Sequence, residues 1–282
     1  MTTKKLRTPS DMLIFFMSLN DFLFVVCVMP LYVDPILYGR WRFDSGKVGP
    51  VCLFNAYGGT FFQMTNLFIL GVISFNRYIT VVHPKNSQKL LTMTTMLISI
   101  IICYLVPVLT FIPSFAGFAK FEFNFQIKRC NWNRLESDVV INIFFFVGFF
   151  IPLILMLFSY AKIFIVVHRS RSRVQHVHSL TGIRRSRVSD GDSRELKLTK
   201  MMATIFIAYL ITYLPCTILV IGHLEFIVPR SLVLSSYIML WSGSWINPVI
   251  YGLMNQRYRK AYISMLDCGY LKKNSNQSHP ST

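Results

Sequence analysis

Residues 51–84 read VCLFNAYGGTFFQMTNLFILGVISFNRYITVVHP. No charged side chain interrupts this stretch before Arg77. Its apolar residues fall around the whole helical circumference, as in a helix enclosed by other helices and lipid, not on one stripe as in a surface helix. From Cys52 to Arg77 is 25 residues, or about 37 Å at the rise of an α-helix. That exceeds the ~30 Å hydrocarbon core of a bilayer, so one helix carries Cys52 to one membrane face and Arg77 to the other.

Composition extends this reading to the whole chain. Its 282 residues are 53% hydrophobic and 15% charged, with 25 Phe and 13 Tyr, and the mean hydropathy is +0.48. Soluble domains carry about 25% charged residues. Six segments have the length and apolarity of a span: Met12–Val33, Val51–Phe75, Leu91–Phe118, Val139–Ala161, Met201–Gly222 and Leu232–Met254. The net charge of +17 is no nucleic-acid signature, because no basic soluble module is left between the spans. Cys27, Cys103 and Cys216 lie in apolar runs, and no Cys-x-x-Cys pair points to a metal. There is no internal repeat, no nucleophile–base pair and no phosphate loop, which argues against a repeat-built transporter or an enzyme.

Charge distribution orients the chain. With the N-terminus in the cytoplasm, 21 of the 29 Lys and Arg fall on the inner side and eight on the outer, as the positive-inside rule requires. The C-terminus is then cytoplasmic. Residues 1–254 form the bundle. Within them 168–200 is a basic inner loop whose Ser-, Arg- and Gly-rich part, 176–193, reads as disordered. Residues 255–282 form an amphipathic segment, Gln256–Leu266, suited to the inner leaflet, and a tail. Cys268, just beyond the segment, is a palmitoylation candidate or a free thiol.

Particular residues narrow the class. Leu19-Asn20-Asp21 lies in the first span. Ser74-Phe-Asn76-Arg77-Tyr78 and then His83-Pro84 close the second. Asn247-Pro248-Val-Ile-Tyr251 and Asn255-Gln-Arg-Tyr-Arg-Lys260 close the last. In this order and spacing they resemble the rhodopsin-like (class A) G-protein-coupled receptors over nearly the whole chain. The Asn-Arg-Tyr variant, Ala161-Lys-Ile-Phe and Leu198-Thr-Lys-Met resemble melatonin receptors, and still more the invertebrate Moody and Trapped-in-endoderm group. The resemblance implies an all-α, seven-transmembrane bundle with an eighth, amphipathic helix, in the plasma membrane. Lys4-Lys5-Leu6-Arg7-Thr8-Pro9 is similar to the first inner loop, so the second to seventh helices are expected here and the first is not. A truncated six-span isoform that regulates a full-length partner is the alternative.

The resemblance also assigns roles. Arg77 would meet the G protein, with Asn76 (in place of the usual aspartate) and Tyr78 beside it; a snorkelling anchor is the plainer reading. Glu195 would pair with Arg77 at rest, or be a solvated acid beside Arg194. Asp21, Asn66, Ser244 and Asn247 match a sodium site. Asn66 replaces the usual serine there and Gly243 a common asparagine, so a water network around a protonated Asp21 stands equally. Pro248 and Pro215 would kink their helices, with Tyr251 swinging toward Tyr160 and Tyr213 standing where a tryptophan is usual. Cys52 and Cys130 would form the disulfide between the third helix and the second outer loop, and Trp41 would pack in the first outer loop. Gly59 stands where amine receptors carry an aspartate, which excludes a biogenic amine. Trp241 stands where opsins carry the retinal lysine, which excludes retinal. Gln63, His223 and Arg129 complete the candidate pocket, with Arg129 able to meet an anionic headgroup. Implied partners are a heterotrimeric G protein, arrestin, receptor kinases and the bilayer.

Overall fold

The computed structural model describes residues 9–44, 48–124, 129–181, 190–224, 227–256, 259–260 and 263; the side chains of 9–10, 134–136, 170–181 and 190–196 lie outside that description. Helices dominate. In order they are α1 (Pro9–Leu23), α2 (Met29–Tyr38), α3 (Pro50–Val82), α4 (Pro84–Leu90), α5 (Met93–Thr110), α6 (Arg134–Phe145), α7 (Ile151–Thr181), α8 (Asp190–Ile221) and α9 (Arg230–Met254).

Two of the breaks share one cause. A π-turn at Phe24–Val28 joins α1 to α2, and another at Phe146–Phe150 joins α6 to α7. Each is followed, two residues on, by a proline: Pro30 and Pro152. A proline ring collides with the carbonyl four residues back, here that of Val26 and of Gly148, inside each π-turn. Widening the turn moves that carbonyl aside and keeps the helix continuous. The first rod thus runs from Asp11 to Tyr38 without a break and ends at Gly39, whose φ of 73° is the left-handed C-cap that glycine adopts without penalty.

Five stretches among the described residues are long and apolar enough to cross a membrane: Asp11–Tyr38, Pro50–Val82, Met93–Phe118, Ser137–Arg169 and Lys197–Ile221. They match five of the six expected spans. The sixth, α9, has the length at 25 residues but carries Ser235, Ser236, Ser242, Ser244 and Asn247, so it is not apolar throughout. Ser236, Ser244 and Asn247 are buried inside the protein, where neighbouring helices offer polar partners. The outer surface is the reverse. Phe15, Ile101, Ile154 and Leu253 are all more than half exposed, which is untenable in water and ordinary against lipid.

The most deeply enclosed span is Pro50–Val82, at 61% buried against 28% for Met93–Phe118, so α3 is the central post. Asp44 starts it: its carboxylate accepts from the backbone N–H of Cys52 (2.8 Å) and Val51 (3.4 Å), filling orphan donors of the first turn and complementing its dipole.

Between α5 and α6 lies an antiparallel hairpin, β1 (Phe121–Asn124) and β2 (Arg129–Trp132), with Phe123 opposite Cys130 and Asn124 opposite Arg129. The sequence reading had a plain loop there. The linker expected over 176–193 is also shorter, because α7 continues to Thr181 and α8 begins at Asp190. Residues 182–189, most of the Gln256–Leu266 segment and Cys268 lie outside the described residues.

Candidate functional site

At the outer end, Cys52 and Cys130 are joined by a disulfide. Trp41 packs with this pair and Ala56 in a small outer core, against Phe121 and Phe123 of the hairpin. Successive residues of a strand point to opposite faces. Cys130 is tied to α3, and its neighbour Arg129 reaches the other way, under the hairpin, where it is buried at 6% exposure. Its guanidinium lies 4.9 Å from the centre of the Tyr32 ring and 5.0 Å from that of Tyr237, within the range of a cation–π contact.

Below the hairpin is a cavity of about 250 Å³. Its polar upper wall includes Arg129, Glu122 and Asn131, and its lower wall includes Leu67, Phe149 and Leu240. Of the five residues assigned to the pocket from sequence, Gln63 and Arg129 line this cavity. Gly59 and Trp241 do not. Tyr32 fills the space between them, stacked on Trp241 with 4.5 Å between ring centres, its hydroxyl donating to the backbone oxygen of Asn55 (3.3 Å). A Cβ on Gly59 would lie 1.6 Å from that hydroxyl oxygen. His223 is exposed beyond the end of α8, with φ at 54°. Sequence reasoning missed Tyr32 and Tyr237. The pair Gly58-Gly59 in the middle of a span was the available signal, since a helix without side chains at one spot invites a bulky neighbour there.

Midway down, four of the assigned residues converge. The Asp21 carboxylate of α1 accepts from Asn66 Nδ2 of α3 (2.6 Å) and Asn247 Nδ2 of α9 (3.0 Å), and Ser244 lies beside it. All four are buried. The side-chain oxygen of Asn66 is buried with no hydrogen-bond partner. A carboxylate, an amide oxygen with a spare lone pair and a hydroxyl are hard oxygen donors, so these residues fit a small cation or water equally well. Between this network and the cavity Tyr209 and Tyr213 stack at 3.8 Å between centres, with Tyr209 donating to the backbone oxygen of Gln63 (3.4 Å) and Tyr213 lining the cavity floor. Pro215 lies two residues on, inside α8, and Pro248 lies inside α9.

At the inner end Arg77 and Asn76 are both buried. Asn76 Nδ2 donates to the sulfur of Met96 (2.9 Å), so it ties α3 to α5. Tyr78 pairs with His83 Nε2 across 3.1 Å and meets Phe158 edge-on. Tyr160 stacks on Phe206 with Ser74 and Arg77 near its hydroxyl. Tyr251 is fully buried and donates to the sulfur of Met17 (3.3 Å). The side chain of Glu195 lies outside the described residues.

The described residues thus bring together a cavity at one end of α3, a polar network tying α1, α3 and α9, and a buried arginine at the other end of α3. The chain belongs to the seven-transmembrane receptors of the rhodopsin family, whose profile matches residues 1–251. It is 24% identical to melanopsin of Felis catus over 94% of its length and 26% identical to the G-protein coupled receptor moody of Drosophila pseudoobscura pseudoobscura, again over 94%. The alignments cover 55% and 48% of those two proteins, so the chain spans about half their length. The crystal structure of squid rhodopsin shares its fold, with a TM-score of 0.78 at 22% identity over 94% of this chain and 77% of that one.

Proposed function

We propose that the protein is a plasma-membrane receptor that converts binding of an extracellular ligand in the outer cavity into activation of a cytoplasmic heterotrimeric G protein. The observation that carries this reading is the Asp21 network. One carboxylate joins α1, α3 and α9 by two hydrogen bonds, between a cavity at one end of α3 and Arg77 at the other. A ligand that shifts α3 or α9 must strain or break those bonds. Buried hydrogen bonds each contribute about 0.5–1.5 kcal/mol, and more where the acceptor is charged, enough together to bias the arrangement between discrete states.

Arg77 is the group we assign to the G protein, with Tyr160 and Tyr251 as the side chains that rearrange around it. Tyr251 is held by Met17 here, so meeting Tyr160 requires it to leave that contact. Glu195 is assigned as the resting-state partner of Arg77. Asp21, Asn66, Ser244 and Asn247 would hold a sodium ion in the resting state, fixing the three helices. The C-terminus faces the cytoplasm, where arrestin and receptor kinases would act and Cys268 would be palmitoylated.

Two of the relatives' names raise light sensing, but the chemistry here opposes it. Covalent attachment of retinal needs an amine; none of the described cavity-lining residues is a lysine, and by the resemblance Trp241 stands where opsins carry theirs. A biogenic amine lacks its carboxylate for the same reason of position, at Gly59.

The test is nucleotide exchange on a co-expressed heterotrimeric G protein. Arg77→Ala, at matched surface expression, is expected to lower exchange by roughly tenfold or more, the effect of losing about 1.4 kcal/mol. Exchange equal to that of the unaltered receptor would overturn the assignment.

A further inference from the structure

We infer that the ligand is an uncharged molecule with two or more separated hydrogen-bonding groups on a flat, ring-built frame, held by Gln63, Asn131 and Thr217; this deepens the receptor reading and rests on it. The three residues come from three elements, α3, β2 and α8, and all line the outer cavity. Each offers both a donor and an acceptor, and none carries a charge. Gln63 lies one turn below Gly59, well inside a membrane span, and Thr217 is buried at 6% exposure. Asn131 shares the face of β2 with Arg129, the side turned to the cavity. Thr60, Thr110 and Thr212 turn their hydroxyls onto carbonyls of their own helices, at 2.8, 2.7 and 3.1 Å. Thr217 does not. Among the described residues no group pairs with its hydroxyl or with the side-chain amides of Gln63 and Asn131. An unpaired amide or hydroxyl is costly in an enclosed site, so these groups gain most from a ligand that meets them.

The charged residues described on the wall, Arg129 and Glu122, are engaged from within the protein. Arg129 lies between the Tyr32 and Tyr237 rings, and its Nε donates to the backbone oxygen of Cys130 (3.5 Å). Glu122 is exposed on β1 and accepts from Asn133 Nδ2 (3.2 Å). An ionic ligand would shed its hydration on entry and find both charges already answered. A neutral ligand sheds less and meets the three neutral groups. Much of the remaining wall is aromatic: Phe144 and Phe145 of α6, Phe149 of the π-turn and Tyr213 of α8. Such faces pack well against a flat ring. Tyr32 fills the side toward Gly59, which confines the frame to the space between α3, α6 and α8. A volume of about 250 Å³ lies just below the ~300–1,000 Å³ usual for ligand sites and gives room for a two-ring frame.

The experiment measures binding to the full-length receptor in nanodiscs, with the signal of empty nanodiscs subtracted and no G protein present, by competition with tritiated naphthalene-2,6-diol. At neutral pH the diol is uncharged and carries a hydroxyl at each end. It is expected to bind more tightly than 2-naphthol, and 2-naphthol more tightly than naphthalene, by roughly two- to tenfold per hydroxyl, the effect of one neutral hydrogen bond. The anion 6-hydroxy-2-naphthoate and the cation of 6-(aminomethyl)-2-naphthol each keep one hydroxyl and should bind no better than 2-naphthol. Gln63→Leu and Thr217→Val should each weaken the diol by that same factor and leave naphthalene unchanged. If a variant fails to fold, the probe series on the unaltered receptor decides. No displaceable diol binding, naphthalene bound as tightly as the diol, a preference for either ion, or a diol affinity unmoved in both variants would overturn the inference. Failure of the series with Arg77-dependent nucleotide exchange intact would sink this inference and leave the receptor reading. The expected ranking without Arg77-dependent exchange would do the reverse.

Discussion

Gly59→Ala tests whether Tyr32 seals the outer bundle. The added methyl would lie 1.6 Å from the Tyr32 hydroxyl oxygen and 2.8 Å from Cζ. The ring cannot swing aside freely, because it is fully buried, stacked on Trp241 and covered by Arg129. Overpacking of this kind costs about 1–3 kcal/mol. Against it stands the gain of about 0.5–1 kcal/mol when alanine replaces glycine in a helix. The steric term wins, so Gly59→Ala should destabilise by about 0–2 kcal/mol, read as earlier thermal inactivation of the purified receptor. In a Tyr32→Leu background the colliding hydroxyl, Cζ and Cε2 are gone. There the same change should be neutral or stabilising, by up to about 1 kcal/mol. The sign reversal is the signature of direct contact, and a double-mutant cycle measures it. Equal effects of Gly59→Ala in both backgrounds would refute the sealing role.

Three further outcomes follow from the geometry. Asp21→Ala strands the amide donors of Asn66 and Asn247 in a buried site, at about 1–3 kcal/mol each, whereas Asp21→Asn keeps one acceptor; thermal inactivation should rank alanine below asparagine below the unaltered protein. Replacing Cys52 and Cys130 together by serine should cost about 2–5 kcal/mol, read as earlier thermal inactivation. Asp44→Ala removes the acceptor for the first-turn N–H groups of α3 and should cost about 1 kcal/mol, again read by thermal inactivation.

What the sequence discloses here is periodic or local. All six spans were read from length and apolarity; five are apolar enough throughout, and the sixth, α9, has the length while its serines dilute the hydropathy. Asp21, Asn66, Ser244 and Asn247 lie far apart in the chain, and it was the resemblance, not spacing, that grouped them. The hairpin was missed because Phe121–Asn124 and Arg129–Trp132 are four residues each, too short for an alternation to stand out. The role of Tyr32 was invisible for another reason. Its importance depends on what faces it across the bundle, Gly59, Trp241 and Arg129, and no pattern along one helix encodes its neighbours on three others. The same holds for Met17 and Met96, whose sulfurs receive Tyr251 and Asn76; as sequence they are ordinary core residues.

The widened turn at Phe24–Val28 bears on the inheritance of this pocket. Phe24, Val28 and Tyr32 are all fully buried, at consecutive intervals of four. A regular α-helix overshoots a full turn by about 40° every four residues, so two such steps would carry the third side chain some 80° off the inward line. The π-turn absorbs that excess and keeps Tyr32 aimed at Gly59. With one residue fewer in this stretch and regular pitch, Tyr32 would lie seven residues after Phe24, about 700° or only some 20° short of two full turns, and would still face Gly59. A one-residue length difference between descendants of a common ancestor would therefore be absorbed at the widened turn, leaving the outer half of the helix and the ligand site in place.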